Sequence, residues 1–375
     1  VLLVAPNQRH LASPSALGHP LSNMKHPPAR AAHPYQNRPA RAFWQTAVAG
    51  RSGADLVDLW QPKSPLTPAT RIATFGSCFA RNIGARLVAR NWQWVNAEPA
   101  PDFAPAMIAD AFGYGHFSAR TGNIYTTAAF LQWLGWAAGQ PAPADEVWPY
   151  NDRWIDPFRG EIEPNGFESP AILLQSRAVT IAALRKAIES ADVFIFTLGL
   201  TEFWSNTQTG AIYQLCPGAR GGQFDAKTHG FTQARFSQVM ADLLAALGIL
   251  RALNPKLRLI LSVSPVALSA TMTDDHVLTA TVHAKSVLRA AAGEFAESTD
   301  GVDYFPSYEL ITGALAGASR FTEDQRTVKI DAIDVVMDHF FGQVAADTEP
   351  APTADSLDDV DCDEAYYAAF APDAP

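Results

Sequence analysis

Cysteine is scarce in this chain. Among 375 residues there are three, Cys78, Cys216 and Cys362. An odd count without a C-x-x-C pair excludes a disulfide scaffold and a structural zinc site. Basic charge is short as well: 28 Lys and Arg stand against 38 Asp and Glu, for a net charge of -10. The basic face that nucleic acid requires is therefore missing, and so is a polybasic membrane anchor. No apolar run approaches the roughly 18 residues of a membrane span. No Walker motif is present, and Gly113-Tyr114-Gly115 lacks the third glycine and the strand context of a dinucleotide fingerprint. The opening residues Val1 to Ala5 are apolar but too short for a signal h-region and have no basic leader, so a cytoplasmic location is expected. What the chain has in plenty is apolar material, 48% of its residues, enough for a large core.

Residues 1–40 are rich in Pro, His, Ala and Arg without periodicity and read as a flexible arm. Met24 is the first methionine, and residues 1–23 read as an upstream extension. Residues 41–345 carry the domain, and 346–375, acidic with several Pro and Ala, read as a loosely attached tail. Within the domain, apolar strand runs alternate with helical patterns. Strands are expected at Ile72–Phe75, Val193–Leu198, Leu257–Val263 and Val302–Phe305. Helices are expected from about Ala80, over Thr126–Ala138, from Pro170 to Ser190, from Thr232 to Leu253, from His276 to Ala296, and from Asp331. Trp204 and Ile212-Tyr213 flank a small hairpin. Residues 139–168 form a long irregular segment whose aromatics Trp148, Tyr150, Trp154 and Phe158 either line a groove or pack the segment down. Strands alternating with helices imply an α/β fold, a three-layer α/β/α sandwich with a mostly parallel sheet of flavodoxin-like form.

The most informative stretch is Gly76-Ser77-Cys78-Phe79-Ala80, where an apolar strand turns into a helix. Glycine permits the tight turn. The helix N-terminus offers free N–H groups and positive partial charge, which favour a thiolate or an oxyanion, and a thiol there is expected to ionise readily. This run resembles the motif of the GSCFA family, which is similar to the SGNH/GDSL hydrolases. The stretches 117–125 (Phe117 to Tyr125), 197–202 (Thr197 to Glu202), 262–265 (Ser262 to Pro265) and 304–309 (Tyr304 to Glu309) carry the same resemblance, which runs from about His33 to Phe341.

The resemblance implies four active-end loops, since ligands in such sheets bind beyond the carboxyl ends of the strands. In the first, Cys78 takes the SGNH serine slot and Ser77 the aspartate slot; a one-residue shift makes Ser77 the attacking group instead. Read without the resemblance, Ser77 caps the helix and Cys78 is a small buried hydrophobe. In the second loop, Gly122 resembles the oxyanion-binding glycine, with the Asn123 amide as a further donor; one such donor contributes about 2.7–4 kcal/mol to a transition state. In the third, Gly199-Leu200-Thr201-Glu202 departs from the family pattern Gly-x-x-Asn. Glu202 is read as a base or an orienter of histidine, Gly199 and Thr201 as substrate contacts. In the fourth, Asp324 takes the acid slot but histidine is absent, and Arg326 is suited to clamping an anion. The histidine must then come from elsewhere: His276 leads, His229 is a substrate-side alternative, and His116 is third. His339 reads as a favourable cation at a helix end, Lys285 and Arg289 as a solvated helix face, and Cys216 as structural.

Two functions follow. One is an esterase or O-acyltransferase acting on acyl esters of carbohydrate, with no metal or cofactor expected and a small molecule or glycan as substrate. The other is a catalytically silent domain that holds a polar ligand such as a glycan.

Overall fold

The computed structural model describes residues 33–315, 319–342, 366–367 and 370–371. Most of the expected arm and tail, with Cys362, lies outside the described residues. In chain order the elements are α1 (Trp44–Ala47), β1 (Ile72–Gly76), α2 (Cys78–Ala89), α3 (Ala106–Ala111), α4 (Thr127–Ala137), β2 (Trp148–Tyr150), β3 (Arg153–Ile155), α5 (Pro170–Ser190), β4 (Val193–Leu198), β5 (Glu202–Asn206), β6 (Ile212–Tyr213), β7 (His229–Gln233), α6 (Phe236–Leu253), β8 (Arg258–Val263), α7 (Val277–Ser298), β9 (Val302–Tyr304), α8 (Ser307–Thr312) and α9 (Ile330–Gly342).

The central sheet is parallel, in the order β1-β4-β8-β9. Its strands are apolar on both faces, as a sheet covered on both sides must be. Phe194, Phe196 and Leu198 of β4 join a core with Trp133 of α4, Leu184 of α5, Leu243 of α6 and Leu288 of α7. The alternate residues Val193 and Ile195 join Phe79 and Ile83 of α2 and Val336 and Phe340 of α9 in a second core. This is the three-layer α/β/α sandwich. Ser169 caps α5 by accepting from Ile172 N, with Pro170 in the first turn.

Three features depart from the sequence reading. Thr232 and Gln233, expected to open a helix, are strand instead: β7 pairs antiparallel with β5, which would otherwise leave an open edge, and α6 begins only at Phe236. Residues 139–168 contain the β2–β3 hairpin, and the buried Trp148 and Phe158 pack the segment down, Phe158 also lining a small internal cavity. Finally, α6 is long and apolar enough by length and composition to cross a membrane, although no such run was expected. Here it packs against α4 and α7, burying Val239, Leu243, Leu247 and Leu250, while Asp242 accepts the Thr127 hydroxyl at 2.7 Å. The described tail residues are anchored: Tyr367 Oη accepts from Cys216 N at 2.8 Å, and Arg220 stacks over the Tyr366 ring at 5.1 Å.

Candidate active site

Gly76 ends β1 with φ 130°, and a Cβ there would lie 2.4 Å from Thr197 O. Only glycine lets β1 and β4 close at this point. The chain then turns, with Ser77 N donating to Thr197 O at 3.0 Å, and α2 starts at Cys78, two residues before the expected point. Ser77 stands at the N-cap, yet its hydroxyl caps nothing. Its Oγ is buried with no hydrogen-bond partner. Cys78 is 2% exposed and lines a small cleft with Asn82, Arg326 and Thr327. The two candidate nucleophiles therefore meet different surroundings: Ser77 packs beside β4 and the third loop, whereas Cys78 borders the fourth.

The second loop runs along the edge of β1. Ser118 Oγ accepts from Thr74 N at 3.0 Å, and Ile124 N donates to Gly76 O at 2.8 Å. The buried Arg120 fixes it through Phe112 O and Ile162 O, while Glu98 accepts Arg120 N. Gly122 adopts φ 64° with its Cα against Arg159, a left-handed turn suited to glycine. The buried Asn123 accepts from Gln214 Nε2 through its carbonyl at 3.2 Å. Gly122 and Asn123 are thus delivered to the end of β1.

The third loop lies against the first. A Cβ on Gly199 would sit 3.1 Å from Ser77 Cβ and 3.1 Å from Tyr125 O, and Gly199 N and Leu200 N both donate to that same oxygen at 2.9 Å. Lys285 Nζ donates to Gly199 O at 2.7 Å and the side chain is 1% exposed. This corrects the solvated-face reading; Arg289, half-exposed, pairs with Glu309. The missed signal is a stripe of small residues on α7, Ala280, Ala284, Leu288, Ala291, buried beside Lys285. Thr201 Oγ1 and Thr197 Oγ1 are buried without partners, like Ser77 Oγ.

Glu202 accepts from Thr271 Oγ1 at 2.8 Å and Met272 N at 3.2 Å, so it ties down that segment and orients no histidine. Asp324 accepts from the hydroxyls of Thr322 and Thr327 and from the backbone N–H groups of Arg326 and Thr327. Burial opposes its ionised form, but these donors together outweigh it and hold its carboxyl far below the usual range. It closes its own turn. Arg326 Nε donates to Ala267 O at 3.0 Å.

The histidines are placed elsewhere. His276 is exposed and caps α7, its Nδ1 accepting from Leu278 N at 3.2 Å, with no hydrogen bond to Glu202 or Asp324. His229 pairs in register with Asn206, four residues along β5 from Glu202, or about 13 Å away. Its Nδ1 accepts from Asp225 N. His116 Nε2 lies 2.8 Å from Arg81 of α2 and 2.7 Å from Asp110. Burial, then Arg81, holds this imidazole below its ordinary value. His339, in the last turn of α9, is buried and donates to Gly53 O at 2.8 Å, which ties the helix to that segment. Burial pushes the Cys216 thiol up to about 11, which keeps it protonated at neutral pH and agrees with a structural role. Two further motif stretches are structural: the Ser262 and Ser307 hydroxyls meet at 2.5 Å, and Tyr304 Oη donates to Glu309 at 2.8 Å. Among the described residues no three His, Cys, Asp or Glu side chains gather as metal ligands would.

Beside this junction lies a cleft of about 650 Å³ whose lining includes Leu200, Glu202 and Gln214. The same three residues border a smaller cavity with Asn123 and Tyr125.

The GSCFA family model matches residues 71–340, well over half of the chain, and the chain belongs to the GSCFA family. Comparison with curated proteins gave no match. Among solved structures, a Streptococcus pneumonia protein named for platelet activating factor is 10% identical, with a TM-score of 0.25 over 46% of this chain and 65% of that one. The salicylyl-acyltransferase SsfX3 of a tetracycline biosynthetic pathway is 12% identical, with a TM-score of 0.24 over 43% and 40%. The acetyl xylan esterase Est2A from the rumen bacterium Butyrivibrio proteoclasticus is 13% identical, with a TM-score of 0.25 over 65% and 57%. The chain thus spans less than two thirds of the length of each of these structures. Likenesses this distant carry no argument about activity.

Proposed function

We propose that this GSCFA-family protein is an acyl-transfer enzyme, an SGNH-like esterase or O-acyltransferase acting on esters of carbohydrate, with Cys78 as nucleophile. What supports acyl transfer is the meeting of the first three loops around Ser77 at the carboxyl ends of β1 and β4; what supports Cys78 as the attacking group is its place as the first helical residue of α2, in a cleft shared with Arg326. A helix N-terminus and a nearby guanidinium both favour a thiolate. An ionised thiol attacks without a base to take its proton, which suits a site where His276 caps a helix and Asp324 closes its own turn. The thiolate adds to the ester carbonyl carbon, and the carbonyl electron pair moves to oxygen. Gly122 N–H and the Asn123 amide are the donors for that oxyanion. Collapse re-forms the carbonyl, expels the alkoxide, which takes a proton from water, and leaves an acyl thioester on Cys78. Water or a second hydroxyl then accepts the acyl group and releases the thiolate. Ser77 is the alternative attacking group.

The test is turnover of p-nitrophenyl acetate by the wild type, Cys78→Ala and Ser77→Ala. Loss of about a hundredfold or more in Cys78→Ala with most of the rate kept in Ser77→Ala supports this reading; the reverse pattern makes Ser77 the nucleophile. A second reading, a silent domain that binds a glycan, is favoured by the commitment of Glu202, Asp324 and His276 to local structure. It predicts no turnover above that of Cys78→Ala, with glycan binding unchanged in that variant.

A further inference from the structure

The 650 Å³ cleft has the size of a small-molecule site and is walled mainly by apolar side chains. Trp204 lines it, with Phe224 and Phe231 at ring-centroid distances of 5.3 and 5.6 Å, and Leu200, Leu268 and the tail residues Tyr367 and Phe370 contribute to the wall. Among its polar lining residues, Glu202 and Gln214 also border the smaller cavity lined by Asn123 and Tyr125. Leu200 belongs to the third loop, whose Gly199 abuts Ser77. The cleft therefore adjoins the Ser77 side of the candidate site through Leu200, and shares Glu202 and Gln214 with the cavity that Asn123 borders. A bare acetyl group would leave it empty, and a glycan, rich in hydroxyls, would find few partners along its walls.

We infer that this cleft holds the acyl part of the substrate, an unbranched apolar chain of medium length, for which a pocket of this size has ample room. The inference rests on the acyl-transfer reading for the word substrate and deepens it: the ester takes its alcohol from carbohydrate and its acid from a medium-chain lipid. The chain lies along Trp204 and Leu268, its carbonyl pointing past Glu202 and Gln214 toward Gly122 and Asn123. Each methylene placed against these walls tightens binding about fourfold, equivalent to ~0.8 kcal/mol.

The experiment has a binding arm and a turnover arm. In the first, hexan-1-ol, octan-1-ol and decan-1-ol are titrated calorimetrically into the full chain and into Ala270→Trp. Ala270 is an exposed residue on the cleft wall, so the indole fills the cleft without disturbing the core. Ala219→Trp, on another wall, serves if the first variant fails to fold. In the second arm, p-nitrophenyl acetate and octanoate are compared in the same proteins. The inference predicts affinity rising about fifteenfold per two carbons in the wild type and lost in the filled variant, with octanoate turnover falling tenfold or more while acetate turnover is kept. Length-dependent binding that Ala270→Trp abolishes, without turnover of either ester, supports the cleft and removes the acyl-transfer reading. Turnover of acetate with no dependence on chain length in either arm overturns the inference and leaves that reading standing. Alcohol binding that is equal in wild type and filled variants also overturns it.

Discussion

Asp156 and Ser77 are buried to the same extent, each 1% exposed, and the fold treats them in opposite ways. Asp156 accepts from Arg159 Nε at 2.8 Å, from Arg177 Nε and Nη2 at 3.1 and 3.0 Å, and from Phe158 N at 3.1 Å. The two guanidiniums also donate to Thr180 Oγ1, Ser176 Oγ, Pro143 O and Glu146 O. Burial pushes the Asp156 carboxyl up, but Arg177 and Arg159 outweigh it and hold the group below the usual range. Ser77, Thr197 and Thr201 have no partner for their hydroxyls. An unsatisfied buried polar group costs about 1–3 kcal/mol. The cluster fixes the 139–168 segment onto α5; the open hydroxyls mark the end of the sheet where chemistry is proposed.

The largest expected effect lies in the satisfied region. Asp156→Ala leaves two buried guanidiniums without their carboxylate and should cost about 3–5 kcal/mol, read by denaturant unfolding. A cost below about 1 kcal/mol would remove the contrast, since that is the range of exposed pairs. Next comes the junction itself. Gly76→Ala forces a side chain into φ 130° and against Thr197 O. Backbone strain alone predicts a loss of roughly 1–3 kcal/mol, and wild-type stability would mean that the turn is not as tight as described.

Ser77→Ala sharpens the comparison from the other side. Removing a hydroxyl that bonds to nothing should leave stability within about 0.5 kcal/mol of wild type, or raise it. A loss above about 2 kcal/mol, the scale of a broken buried hydrogen bond, would show that the hydroxyl is already in use. The smallest effect is a pH dependence. Because folded His116 has a lowered pKa, the unfolded chain binds its proton first as pH falls. Stability from this group is therefore whole above about 6.5, the unfolded value. It declines below that until folded His116 is protonated too. His116→Gln should flatten this stretch of the curve of melting temperature against pH; an unchanged slope would place the titration elsewhere.

The layers of the fold were legible because the sheet strands, the short β9 with Asp303 apart, are mostly apolar runs and the long helices carry clear periodicity. The strand at 229–233 was not, since Phe231 and Thr232 pair across to β5 and nothing local announces that partner. Likewise the first three loops could be read as neighbours from their motifs, and Ser77, Gly199 and Tyr125 do pack together. The fates of Glu202, Asp324 and His276 could not be read, because each is decided by a hydrogen bond: to Thr271, within a turn, and to the α7 N-terminus. Lys285 was hidden by its charge, which suggested solvent where the helix stripe pointed inward.

The most direct test of the central claim is competitive labelling of the native chain, with limiting iodoacetamide and a fluorophosphonate applied in parallel at neutral pH and sites mapped by peptide mass spectrometry. The account predicts alkylation of Cys78 well ahead of Cys216, whose thiol stays protonated, and ahead of the same residue in the unfolded chain. Modification of neither Cys78 nor Ser77 above the unfolded rate would contradict it.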